Sequence, residues 1–143
     1  MQDLFLGRPL GGMQEPVWLK RRIADAAHFD QLRQHGGASG VRDENALESA
    51  LSRPRHKWAY EPQSDLAALA AAYGFGLAKN HACNDGNKRV AFMAMYIFLG
   101  LKGWEIAASE EEAVQVMLSL ASSRIDEKGL THWLRGHMVE ASF

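Results

Sequence analysis

The chain has 143 residues, 47% of them hydrophobic and 23% charged, with a net charge of −1. That length suits one domain (1–143), able to bury about two-thirds of its unfolded surface, and the charge balance supplies no basic footprint for nucleic acid. A single cysteine, Cys83, excludes an internal disulfide framework and fits a reducing cytoplasm, while the six histidines lack zinc-ligand spacing. The N-terminal residues Met1 to Arg8 do not read as a secretory leader, and no apolar run reaches the roughly 20 residues needed to cross a bilayer. The expectation is a soluble intracellular protein.

Periodicity predicts an all-α bundle of six helices, without a convincing strand. The first helix is expected from about Glu15 to Gln34, with Pro16 in its first turn, Val17, Ile23, Ala27 and Leu32 on one face, and Gly36-Gly37 as its stop. The cationic run Lys20-Arg21-Arg22 reads as a solvated face. Gly36 to Arg42 forms a glycine-rich link, read either as a connector or as a flap over a site. Asp43 caps a short helix with Ala46, Leu47, Ala50 and Leu51 inward, ended at Pro54. Arg55 to Gln63 reads as an irregular connection.

Ser64 is expected to open the next helix, whose stripe Leu66, Leu69, Ala70, Tyr73 and Leu77 belongs in the core. Val90 to Leu101 carries no charge and is apolar on every side, so it is expected at the centre of the bundle. Trp104 to Ile106 reads as a brief extended piece. Ser109 and Glu112 form a capping box for a helix that turns Val114, Met117, Leu118 and Ala121 inward. Asp126 caps the last helix, with Leu130, Trp133, Leu134 and Met138 as its apolar stripe.

Between the fourth and third of these apolar stretches lies His81-Ala82-Cys83-Asn84-Asp85-Gly86-Asn87-Lys88-Arg89. Each residue alone has an ordinary explanation: a surface histidine, an Asp-Gly turn, a solvated cationic pair. Their coincidence at the predicted start of a buried helix points to phosphate chemistry. The first backbone N–H groups of a helix have no helical acceptor and lie at the positive end of its dipole. Gly86 permits close approach, Asn87 adds an amide, and Lys88 and Arg89 add charge. Asp85 is placed to share Mg²⁺ with phosphate oxygens, and His81 to accept a proton from an attacking hydroxyl.

The loop resembles the core motif of the Fic/Doc family, His-x-Phe-x-Asp/Glu-Gly/Ala-Asn-Gly/Lys-Arg, with Cys83 where the motif has phenylalanine. Gly37 to Asp43, Leu47 to Pro54 and Tyr60 are similar to the flap and following helix of the death-on-curing (Doc) branch, and Ala70 to Tyr73 with Lys79 to His81 to its approach helix. The resemblance implies a compact helical bundle around a central motif helix (motif 81–89), with a short flap or hairpin at about 36–42. It implies Mg-ATP as cofactor, His81 as base, Asp85 on Mg²⁺, and Gly86, Asn87, Lys88 and Arg89 on the phosphates. Gly37, Gly40 and Val41 of the flap would hold an extended segment of the protein substrate.

Within the family, AMP-transferring members carry Gly-Asn-Gly-Arg-x-x-Arg. Here Lys88 replaces the second glycine and Phe92 the last arginine, the Doc-type pattern. That implies a protein kinase acting on a translation factor, elongation factor Tu being the leading candidate, and arresting growth. The alternatives are a Fic-type AMP-transferase, the branch that Gly86 follows, and a non-catalytic module binding nucleotide or antitoxin. Ser123 to Lys128 misses the family's inhibitory motif by its final lysine. Inhibition is therefore expected from a separate antitoxin, its C-terminal helix docked in a groove near the flap and the active site. Neither nucleic acid nor membrane is expected as a partner.

Overall fold

A computed structural model describes residues 14–80 and 86–142. Among these residues the order is α1 (Arg21–His35), α2 (Glu44–Tyr60), α3 (Leu66–Lys79), α4 (Asn87–Gly100), β1 (Trp104–Ile106), α5 (Glu110–Ala121), α6 (Glu127–His137) and β2 (Met138–Glu140). The fold is helical, as expected, with one small two-stranded sheet.

The hub is α3. Its small residues let neighbours close in from several sides, and Ala67 to Gly74 are all buried. A side chain added at Gly74 would run into Met95 of α4, so glycine sets the approach of these two helices. Helices α2, α4 and α6 all pack against α3. Its Tyr73 is fully buried, and the hydroxyl accepts the Leu19 backbone N–H at 2.8 Å. Burial pushes that phenol above its ordinary range.

This hydrogen bond explains the first correction. Residues 14–20 are not helical, and α1 begins at Arg21 rather than near Glu15. Trp18 stacks on Phe98 at 6.1 Å and meets Trp58 edge-on at 6.2 Å. Pairing Leu19 with Tyr73 while seating Trp18 holds this segment extended, and Pro16 is buried there as well. Val17, assigned to the apolar face, is 56% exposed. Arg21 is not simply solvated either: it reaches Glu44 at 2.7 Å, Asp25 at 2.9 Å and Glu48 at 3.1 Å, fastening α1 to α2.

The second correction concerns Pro54, which does not end α2. The helix continues to Tyr60, through the stretch read as irregular. Proline forfeits one ladder hydrogen bond, but Leu47, Ala50, Leu51 and Pro54 form one buried face. Burial of that face outweighs the lost bond. Asp65, rather than Ser64, caps α3, accepting the Ala68 N–H at 2.9 Å.

At the other end, Met138 leaves the last helix to open β2. It pairs with Ile106 in an antiparallel register that also sets Trp104 opposite Glu140. The extended reading of Trp104 to Ile106 therefore holds, and its partner strand was hidden because Met138 also fits the helical stripe. Between α1 and α2, residues 36–42 form an irregular link in which Gly36, Gly37 and Gly40 have positive φ. Val41 makes an isolated bridge and packs half-buried on the core, so the flap is no regular hairpin among the described residues.

Candidate active site

Helix α4 begins with Gly86 as its N-cap, at φ 77° and ψ 13°. Left-handed geometry of this kind suits glycine, because a Cβ there is strained by about 1–2 kcal/mol. No described side chain caps this helix. Its internal ladder starts with the Val90 N–H donating to the Gly86 carbonyl at 2.9 Å, so the N–H groups of the first turn lie ahead of the ladder. That turn carries no acidic residue and exposes Lys88 and Arg89. Cations at a helix N-terminus oppose the dipole. Their placement makes sense when an anion sits between them and the backbone donors.

The N-terminus opens into a cleft of about 600 Å³. Gly86, Asn87, Lys88 and Arg89 line one end, and Phe92, Met93 and Tyr96 continue the wall along α4. The opposite wall is α5, from Ser109 and Glu110 to Val114, Met117 and Leu118, with Ile106 between; Gln31 and His35 of α1 close the rim. The cleft is thus cationic and rich in donors at one end, apolar along its length. This geometry fits a ligand with a polyanionic tail and a flat or apolar head.

Two sequence expectations change here. The motif helix is not buried all round: Val90, Ala91, Ala94, Met95, Phe98 and Leu99 face the core, while Phe92, Met93 and Tyr96 face the cleft. Likewise Val114 and Leu118 are 50% and 45% exposed, lining the cleft instead of turning inward. Apolarity alone does not separate a core face from the wall of an apolar cleft.

Of the predicted site residues, the structure brings Gly86, Asn87, Lys88 and Arg89 together at the cleft. His81, Asp85 and Cys83 lie outside the described residues. Gly37, Gly40 and Val41 are not in the cleft wall, although the link containing them leaves from its rim at His35. Asn80, next to the motif, is tied to the start of α2 by its side-chain amide, which donates to the Ala46 carbonyl at 3.1 Å. Among the described residues, no three His, Cys, Asp or Glu side chains group to hold a metal ion. No described helix is long and apolar enough to cross a membrane.

Asp126 and Glu127 stand at the start of the last helix, as expected. Asp126 caps α6, accepting the Gly129 N–H at 2.8 Å. Glu127 reaches Arg53 of α2 at 2.5 Å and Lys57 at 3.8 Å, in a separate polar cavity of about 480 Å³. Neither carboxylate lines the α4 cleft.

The contribution of α1 and α5 was missed in the sequence. Gln31 and His35 line the cleft, and His28, one turn earlier on the same face, is buried beside Gly86. The spacing 28, 31, 35 was a visible signal, a polar stripe beside the apolar one.

The sequence pattern of the Fic/DOC family matches residues 18–99, from the half-buried Trp18 through most of the motif helix. The chain is also 34% identical over 109 residues to Toxin Doc of Mycolicibacterium smegmatis (strain ATCC 700084 / mc(2)155), covering 74% of this chain and 84% of that protein. These matches establish that the chain belongs to the Fic/DOC family.

Proposed function

We propose that this protein is a cytoplasmic Doc-type toxin, a Mg-ATP-dependent kinase that phosphorylates a Ser or Thr hydroxyl of a translation factor. One observation carries the reading. The glycine-capped N-terminus of α4 presents Lys88 and Arg89 at the end of an apolar cleft, and Phe92 follows in the wall where a second phosphate-binding cation would stand in an AMP-transferase. In this reading the phosphates lie at the α4 N-terminus, where backbone N–H groups, Lys88 and Arg89 neutralise them.

His81 takes the proton of the acceptor hydroxyl as its oxygen bonds to the γ-phosphorus. The bond from that phosphorus to the bridging oxygen breaks, and ADP leaves with the electron pair. Asp85 would supply one carboxylate to Mg²⁺, which takes few protein ligands and completes its shell with phosphate oxygens and water. When bound, the ion offsets charge on the phosphates. The link at 36–42, with Gly37, Gly40 and Val41, would receive an extended segment of the protein substrate by strand addition. A cognate antitoxin would lay the apolar face of a helix in a groove near this link.

The test is transfer from ATP labelled on the γ- or the α-phosphate to elongation factor Tu, with His81→Ala as control. Label from γ, reduced about 10²–10⁴-fold in the variant, is the expected result. Label from α makes the protein an AMP-transferase. No transfer to any protein of a lysate, with Mg-ATP still bound, makes it a non-catalytic module.

A further inference from the structure

Three polar residues are buried among the described residues: Thr131, Ser64 and His28. Thr131 returns its hydroxyl to the Glu127 carbonyl at 2.9 Å, and Ser64 closes the turn before α3 through its backbone N–H to the Glu61 carbonyl. The third is His28, in the middle of α1 and 7% exposed. A side chain added at Gly86 would come within 3.7 Å of His28 Cδ2 and 3.9 Å of Nε2. The ring therefore turns that edge toward the residue where the chain enters the motif helix.

We infer that His28 is a positioning residue for the phosphate cradle: its imidazole, held in the α1–α4 interface, fixes the left-handed turn at Gly86 from behind. This rests on the reading of the α4 N-terminus as a phosphate site. The physical need is specific. Helices α2, α3, α5 and α6 each begin with a side chain that accepts a first-turn N–H, whereas α1 and α4 have no described side chain in that role. A helix that offers those donors to a ligand gives up this device, and its N-cap glycine is the residue most able to adopt other conformations. The turn must then be held by a neighbouring element. His28 is the buried polar side chain seated there, and α1 anchors it by packing directly on α4. The same face of α1 continues to Gln31 and His35 at the rim, so one helix supports the cradle and borders the cleft.

The test compares wild type, His28→Phe, which keeps a ring but no nitrogen, and His28→Gln, which restores a polar side chain. Mg-ATP binding is measured by calorimetry, folding by thermal melting, and the turn by the backbone amide resonances of Gly86 to Arg89. Expected is a loss of about tenfold in affinity for His28→Phe, about 1.4 kcal/mol, with the melting temperature held, resonance changes confined to that turn, and affinity recovered in His28→Gln. Binding within about twofold of wild type, or a fall in affinity that merely tracks a fall in melting temperature, overturns the inference. If wild type binds no Mg-ATP, the phosphate reading fails, and the resonances alone decide: an unchanged Gly86 turn in His28→Phe overturns the positioning role. Should His28→Phe not fold, His28→Leu is read in the same assays; failure of both to fold assigns His28 to the core instead.

Discussion

Two helix N-termini border the same cleft, and they are built in opposite ways. Helix α5 closes on itself: Ser109 Oγ accepts the Glu112 N–H at 3.1 Å, Glu112 accepts the Ser109 N–H at 2.8 Å, and Glu110, Glu111 and Glu112 fill the first turn with negative charge. Helix α4 begins with a bare glycine and carries Lys88 and Arg89 where the dipole disfavours them. Each arrangement follows from what the helix end must do. The α5 end maximises its own stability and repels anions. The α4 end forgoes about 0.3–1 kcal/mol for each favourable charge it lacks, and leaves its donors for something else. Side by side, they explain why an anion would select one end of the cleft.

The largest expected effect comes from making α4 resemble α5. Lys88→Glu places an acid at the positive end of the dipole, so the melting temperature should hold or rise slightly. Mg-ATP affinity should fall at least 100-fold, about 2.7 kcal/mol, because a cation is lost and repulsion added. Calorimetry beside a thermal melt separates the two effects; retained affinity would remove the α4 end as the phosphate site. Next in size is Gly86→Ala. The new Cβ meets His28 at ordinary contact distance, so the cost is conformational. About 1–2 kcal/mol of stability should go, read as a lower denaturation midpoint, with weaker Mg-ATP binding as the turn opens.

Much of this contrast was legible in the sequence. The Ser109–Glu112 capping box and the Asp126 cap are local patterns and formed as read. The motif announced an open helix end because Gly86, Asn87, Lys88 and Arg89 are adjacent in the chain. What stayed hidden depended on distant partners. Pro54 reads as a helix stop until its whole face is seen buried against α3. The extended segment before α1 is fixed by Tyr73 and Phe98, far along the chain. Phe92, Tyr96, Val114 and Leu118 have the composition of a core, and only the packing of α4 against α5 shows that they line a cleft. His28 differs from an ordinary core histidine only by its place beside Gly86.

The α5 end supplies the smaller predictions. Ser109→Ala removes one half of the capping box and should lower stability by about 1 kcal/mol, with far less effect on Mg-ATP affinity than Lys88→Glu. The other half is sensitive to pH. The Ser109 backbone N–H, followed by the Ser109 hydroxyl and His137, holds the Glu112 carboxyl below its ordinary value of 4.5. A carboxylate favoured in the folded state contributes stability above its unfolded value, and that contribution fades as pH falls through the lower folded value. Thermal melts of wild type and Glu112→Gln from pH 7 to pH 3 should therefore differ most near neutrality and converge on acidification. If Glu112→Gln were equally destabilised at both ends of the range, the capping box would act through shape alone. The charge contrast between the two helix ends would then rest on α4.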